Sequence, residues 1–171
     1  MKFVADSMLG KLSRWLRMLG HDVEFADDVD DRMLLEVSKA EDRVLLTRDA
    51  ELFRSATRQG LKPVFVEGKN PAERLAIVLG EFNLKLEFNP DCSRCPACNT
   101  RIKSVSKNEI LSEIPPSTAT FYDRFWKCQK CGKIYWQGSH WKRITQTLEN
   151  VKEILKEKAA YSGSSHLSGT S

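Results

Sequence analysis

Five cysteines stand between Cys92 and Cys131 and nowhere else in the 171 residues. Four of them make two C-x-x-C pairs, Cys95/Cys98 in "CPAC" and Cys128/Cys131 in "CQKC", the second followed by Gly132. Two thiolates at that spacing hold one face of a tetrahedral ion, and two such pairs complete a four-cysteine zinc site. Cys92 also lies in C-x-x-C register with Cys95. Cys95/Cys98 is read as the pair because Pro96 and Asn99 suit a tight knuckle turn, mirroring Gly132 after the second pair. An odd number of cysteines packed into one segment argues for metal over a disulfide framework. Four sulfurs close the coordination sphere, so the zinc is expected to be structural and His140 is not needed as a ligand.

A second set of residues carries oxygen. In "RVLLTRDAELF", residues 43–53, an apolar strand runs into Asp49 where a helix begins. Asp6 follows another short apolar strand, and "DDVDD", residues 27–31, opens a further helix. Each has a plain reading: Asp6 and Asp49 as helix caps, 27–31 as a solvated turn. Together they could also hold a hard divalent ion, which takes oxygen ligands and keeps several waters. No Gly-rich phosphate loop, nucleophilic serine elbow or H-E-x-x-H helix competes with them.

The elements that must position these residues follow from periodicity. Short apolar runs at 2–5, 23–26, 44–47 and 64–66 read as strands. Apolar spacing predicts helices from Met8 to Gly20, over Met33–Ala40, from Asp49 to Gln59, and from Asn70-Pro71 onward. Alternating strands and helices predict an α/β fold with a central parallel sheet flanked by helices. Ligands gather at the carboxyl ends of such strands, where Asp6, the acids of 27–31 and Asp49 all fall.

From residue 89 the chain changes character. Residues 1–88 hold 14 Lys+Arg and 16 Asp+Glu, residues 89–171 hold 13 and 7, so a net of −2 gives way to +6. The expected organisation is an α/β domain over 1–88, a small four-cysteine zinc ribbon over 89–148, a C-terminal helix over 149–160 within an amphipathic stretch from Thr145, and a disordered tail over 161–171. Tyr135, Trp136, Trp141, Lys142 and Arg143 interleave aromatic and basic side chains, a composition suited either to stacking on bases or to packing on the metal site. No stretch approaches a membrane span. Asp6 interrupts what a signal peptide would need as apolar core, so a cytoplasmic protein without a membrane partner is expected.

"FVADSMLGKLSRWLRMLGHDVEF", the acidic turn that opens a helix, "RVLLTRDAELF", "RCPACN" and "CGKIYWQGSHW" together resemble the PIN-like RNase domain at the C-terminus of Mut-7-type exonucleases. The resemblance covers residues 2 to about 148. It implies a PIN-like fold, a metal-dependent ribonuclease site of acids, and a zinc ribbon behind it. Asp6 matches the acid ending the first strand and Asp49 the acid of a T-x-D motif. Asp31 best matches the helix-opening acid, with Asp30 one position away. A fourth acid is common shortly after T-x-D; Glu51 is the nearest candidate. The expected activity is hydrolysis of single-stranded RNA with Mg²⁺ or Mn²⁺ held by the acids. Lys11, Arg14, Arg17, Arg48, Trp141, Lys142 and Arg143 are expected to contact the strand. The rival expectation is a non-catalytic RNA- or ribosome-associated adaptor on a PIN-like scaffold. A toxin of the toxin–antitoxin type suits the fold but not the fused ribbon.

Overall fold

A computed structural model describes residues 1–25 and 27–164. Ala26, expected to end the second strand, and residues 165–171 of the expected tail lie outside the described residues.

Four parallel strands form the first sheet: β1 (Lys2–Ala5), β2 (Asp22–Phe25), β3 (Val44–Thr47) and β4 (Val64–Phe65), in the order β2-β1-β3-β4. Strands β1 and β3 are apolar on both faces because both faces are covered. Phe3, Ala5 and Leu46 enter one core with α1 (Gly10–Met18) and α4 (Pro71–Glu81). Val4 and Leu45 enter a second core with α2 (Asp31–Ala40) and α3 (Ala50–Arg58). The expected helix from Met8 is divided: a 3-10 turn over Ser7–Leu9, capped by Asp6, leads into α1.

The chain leaves β1 toward one edge of the sheet and β3 toward the other. The crevice between their carboxyl ends is therefore the switch point at which α/β sheets receive ligands. The register pairs Ala5 with Leu46 and continues through Asp6 N–H to the Leu46 carbonyl at 3.1 Å, which sets Asp6 beside Thr47.

The ribbon is a three-stranded antiparallel sheet of β5 (Ile102–Val105), β6 (Phe125–Cys128) and β7 (Ile134–Trp136). The polar insert before β6 contains two short helices, α5 (Lys107–Ile110) and α6 (Pro116–Phe121), the latter opened by Pro116 at its first position. The final helix, α7, runs from His140 to Ser164, longer at both ends than the stretch from Thr145 to Ala160 that the sequence suggested. At 25 residues it spans about 37 Å. It starts on the ribbon and packs through its middle turns against α4, where Val151 is wholly buried in the first core beside Leu148, Ile154 and Leu155. No helix among the described residues is long and apolar enough to cross a membrane.

Between sheet and ribbon lies a polar seam. Gly20, at φ +87°, lets the Cys92 carbonyl approach so closely that a Cβ there would stand 2.8 Å from it. Asn99, itself in the left-handed region at φ 65°, accepts from Val23 N–H at 3.0 Å and donates to Asp22 at 2.8 Å. Asp22 is also gripped by Arg43 at 2.7 Å and Arg94 at 3.2 Å. Burial would raise the Asp22 pKa, but the bonds from Arg43 and Asn99 and both guanidinium charges hold it below the ordinary carboxylate range.

Candidate active site and metal centre

Each candidate acid also serves the backbone of the element it opens. Asp6, 5% exposed, accepts from Met8 N–H through Oδ1 at 2.9 Å; its Oδ2 takes the Thr47 hydroxyl at 2.5 Å and Arg48 N–H at 2.7 Å. Asp49 is exposed and caps α3 through Oδ1, from Glu51 N–H at 2.7 Å and Leu52 N–H at 3.0 Å. No hydrogen bond falls on Asp49 Oδ2 among the described residues. Thr47 joins the two acids, since the hydroxyl that donates to Asp6 accepts Asp49 N–H at 2.9 Å. The third residue of the arrangement is thus one the sequence reading left unassigned; the T of T-x-D was its signal.

At the α2 terminus the two neighbouring aspartates differ. Asp30 is the cap, accepting from Arg32 N–H at 3.2 Å. Asp31, one position on, has its pKa raised by burial and then by the charges of Asp49, Asp30 and Asp6. Two strand ends and one helix start therefore set Asp6, Asp49 and Asp31 within electrostatic reach, and a nearby cation would favour the charged form of Asp31. These are hard oxygen donors, suited to Mg²⁺ or Mn²⁺. Among the described residues they do not come together at the distances of a closed ligand set, as the cysteines do. Glu51, the nearest fourth acid in sequence, pairs with Arg54. Glu67, exposed after β4 on the same rim, is an acid that the sequence reading did not single out.

The cysteines do close. The sulfurs of Cys95, Cys98, Cys128 and Cys131 all lie within 4.8 Å of one another, with Cys95–Cys131 at 3.6 Å and Cys98–Cys128 at 3.3 Å. Zinc with Zn–S bonds of about 2.3 Å wants sulfurs about 3.8 Å apart, so the set can hold it. Cys92 is exposed and stands outside the group. Crowding moves the thiols of Cys98, Cys128 and Cys131 in different directions. Burial opposes the Cys98 thiolate, but hydrogen bonds from Thr100 and the neighbouring thiols bring its pKa down to about 6. Lys133 N–H favours the Cys131 thiolate, yet burial and crowding by Cys128, Cys95 and Cys98 push it up to about 12.

The cationic residues separate into two groups. Lys11 and Arg14 are exposed on α1 and line a cleft of about 730 Å³ between α1 and the ribbon, together with Arg74 and Lys133. Arg74 and Lys133 were not legible as partners, because one sits on α4 and the other inside the second cysteine turn. Ser7 and Asp27 line the same cleft, which places it beside the acidic rim. Arg17 lines it too, but the expectation that it binds RNA is corrected. It is 4% exposed, and its guanidinium donates to the Val23 carbonyl at 2.7 and 3.0 Å and to Pro96 and Ala97 carbonyls at 3.0 and 3.4 Å. It ties α1 and β2 to the first cysteine knuckle. Arg48 is half-buried, and its N–H serves Asp6. Lys142 and Arg143 are exposed in the first turn of α7, and Trp141 packs against Phe88 at a centroid distance of 4.9 Å, the rings tilted by 40°.

Comparison with known proteins places this arrangement. A human protein, the exonuclease mut-7 homolog, is 33% identical over 101 residues, covering 57% of this chain and 12% of that protein. The chain thus spans about an eighth of the length of this curated relative. No solved structure matches the chain. The family model of the Mut7-C RNAse domain matches residues 1–148, which takes in the parallel sheet, the acidic rim and the cysteine ribbon. The chain therefore belongs to the Mut7-C RNAse domain family.

Proposed function

We propose that this chain is a metal-dependent ribonuclease that hydrolyses phosphodiester bonds of single-stranded RNA. Family membership supports the nuclease role. The observation that carries the site is the Thr47 hydroxyl that joins Asp6 to Asp49 at the switch point, with Asp31 near enough to feel both charges. Asp6, Asp31 and Asp49 would hold Mg²⁺ or Mn²⁺, with Asp30 fixing the α2 terminus; bound there, the ion supplies an activated water and a stabilised leaving oxygen. The protein's own part is positional. Thr47 and two N–H groups lock the Asp6 rotamer, and the α3 cap leaves Asp49 Oδ2 facing no protein donor. Lys11, Arg14, Arg74 and Lys133 hold phosphates of the strand in the cleft through salt-sensitive contacts, and Arg48, Lys142 and Arg143 extend that field. Catalysis belongs to residues 1–88 and strand guidance to the ribbon over 89–148, where zinc fixes the fold. The RNA it meets is cytoplasmic.

Cleavage of an end-labelled single-stranded RNA in Mn²⁺ or Mg²⁺ tests this reading. Asp49→Asn should lower the rate at least about 100-fold, with RNA affinity and zinc content retained. Equal cleavage by wild type and variant would remove the rim from the mechanism. One observation favours the adaptor reading: Asp6, Asp30 and Asp49 each already serve as the cap of a helical turn. RNA binding without cleavage in either protein would select it.

A further inference from the structure

A second large cavity lies on the ribbon, and the acidic rim makes no use of it. It encloses about 630 Å³, inside the range of roughly 300–1,000 Å³ typical of small-molecule sites. Its walls are aromatic, with Tyr122, Trp126, Tyr135 and Trp136 from the ribbon and the tilted pair of Phe88 and Trp141 beside them. The metal module holds part of this wall rigid. The Tyr135 hydroxyl lies 3.0 Å from Cys95 Sγ, and Trp126 Nε1–H donates to Asp91 at 2.7 Å.

Aromatic side chains in a small ribbon often do no more than fill its core. Here Trp126 is buried, but Tyr122, Tyr135, Trp136 and Trp141 remain only half-buried around open space, and Phe121 is 77% exposed at the rim. Arg94 lines the same cavity, its guanidinium held by the Asn99 carbonyl at 2.8 Å and by Asp22 at 3.2 Å. His140, Ser117 and Ser139 add polar groups at the wall. The adjoining first turn of α7 carries Lys142 and Arg143 and no acid. Flat apolar faces beside the cations Lys142 and Arg143 match a base with its phosphate. An apolar peptide would satisfy the faces alone. Pro96 lines both this cavity and the basic cleft, so the first knuckle forms the sill between them.

We propose that the ribbon cavity receives unpaired nucleobases of the same RNA strand whose phosphates lie in the basic cleft, an inference that rests on the ribonuclease reading above. Bases enter between Trp141 and the Tyr135–Trp136 wall by stacking, which tolerates any base because each has a π face. A duplex cannot present its bases this way, so single-strandedness is selected at the ribbon and not at the acids.

The test uses the zinc-loaded full chain carrying Asp49→Asn, so that the strand stays intact. Its tryptophan fluorescence is titrated with a ten-nucleotide oligoadenylate, and separately with a strand of equal length whose sugars lack bases. The expected result is quenching by oligoadenylate and at least about tenfold tighter binding than to the abasic strand. Trp141→Leu, which keeps an apolar contact to Phe88, should weaken oligoadenylate binding roughly 5- to 100-fold and leave the abasic strand unaffected. Tyr122→Leu is the second variant should the first lose its zinc. Equal affinity for the two strands in the parent protein would overturn the proposal whatever the variants do. If wild type still cuts RNA in that case, the nuclease reading survives alone; if no strand binds at all, both fall. A cavity that takes up an apolar dye which oligoadenylate cannot displace would mark a protein-docking surface, and would also overturn it.

Discussion

At Thr47 one hydroxyl serves two candidate ligands, giving its proton to Asp6 and taking the N–H of Asp49. Sequence showed the acids, because a carboxylate at a strand end is conspicuous; it did not show the threonine, because a β-branched residue closing a strand has an ordinary explanation in β-propensity. His21 illustrates a similar blind spot. It packs edge-on to Phe3 with Nε2 buried and, among the described residues, without a partner, and burial, joined by the charge of the Met1 amino group, lowers its pKa to about 4. The unfolded chain, with a His pKa of about 6.5, then binds more protons than the folded one between those two values. Stability from this residue is complete above about pH 6.5 and declines as the pH falls toward 4. His21→Leu should remove that decline, and the difference between the urea midpoints of the two proteins should grow toward acid by the equivalent of about 2 kcal/mol. A constant difference across this window would show that His21 does not titrate between the folded and unfolded states.

Among the elements, α1 was read correctly as amphipathic, but its polar side was read as uniform. Lys11, Arg14 and Arg17 share that side in projection, yet the ribbon covers only the end that carries Arg17. Burial by a separate module is a tertiary fact that helical periodicity cannot contain. The consequence is a sharp contrast between neighbours. Arg17→Met leaves the carbonyls of Val23, Pro96 and Ala97 without their donor and should cost about 2–3 kcal/mol in urea unfolding. Arg14→Met should change stability by less than about 0.5 kcal/mol and instead flatten the salt dependence of RNA binding by about one phosphate contact. Matching stability losses for the two would mean that the seam does not depend on Arg17. The cysteine ribbon was far more legible than the seam, since paired C-x-x-C spacing carries its own geometry, whereas Asn99 and Asp22 are joined by folding alone.

For the molecule as a whole, the sequence separated a front module, a ribbon and a helix, and the structure returns the helix to the front module. The apolar positions of α7, Leu148, Val151 and Leu155, announced an amphipathic helix but not which surface it covers. That surface is α4, so α7 completes the first core. Deleting the chain from Thr145 onward should therefore destabilise the parallel-sheet domain by about 4 kcal/mol, from the burial of Val151 and its three partly buried neighbours, and should expose dye-binding apolar surface. An unchanged melting temperature in the truncated protein would show α7 to be an appendage. The same helix has a further consequence. The ribbon is bound to the sheet through Arg17 on one side and through α7 on the other, so it cannot swing like a bead on a string. If the ribbon grips a strand as proposed, that strand would reach the acids across a fixed span, as in a caliper. The cut would then be counted from the place of grip and not from any sequence, and fragments should gather at one length.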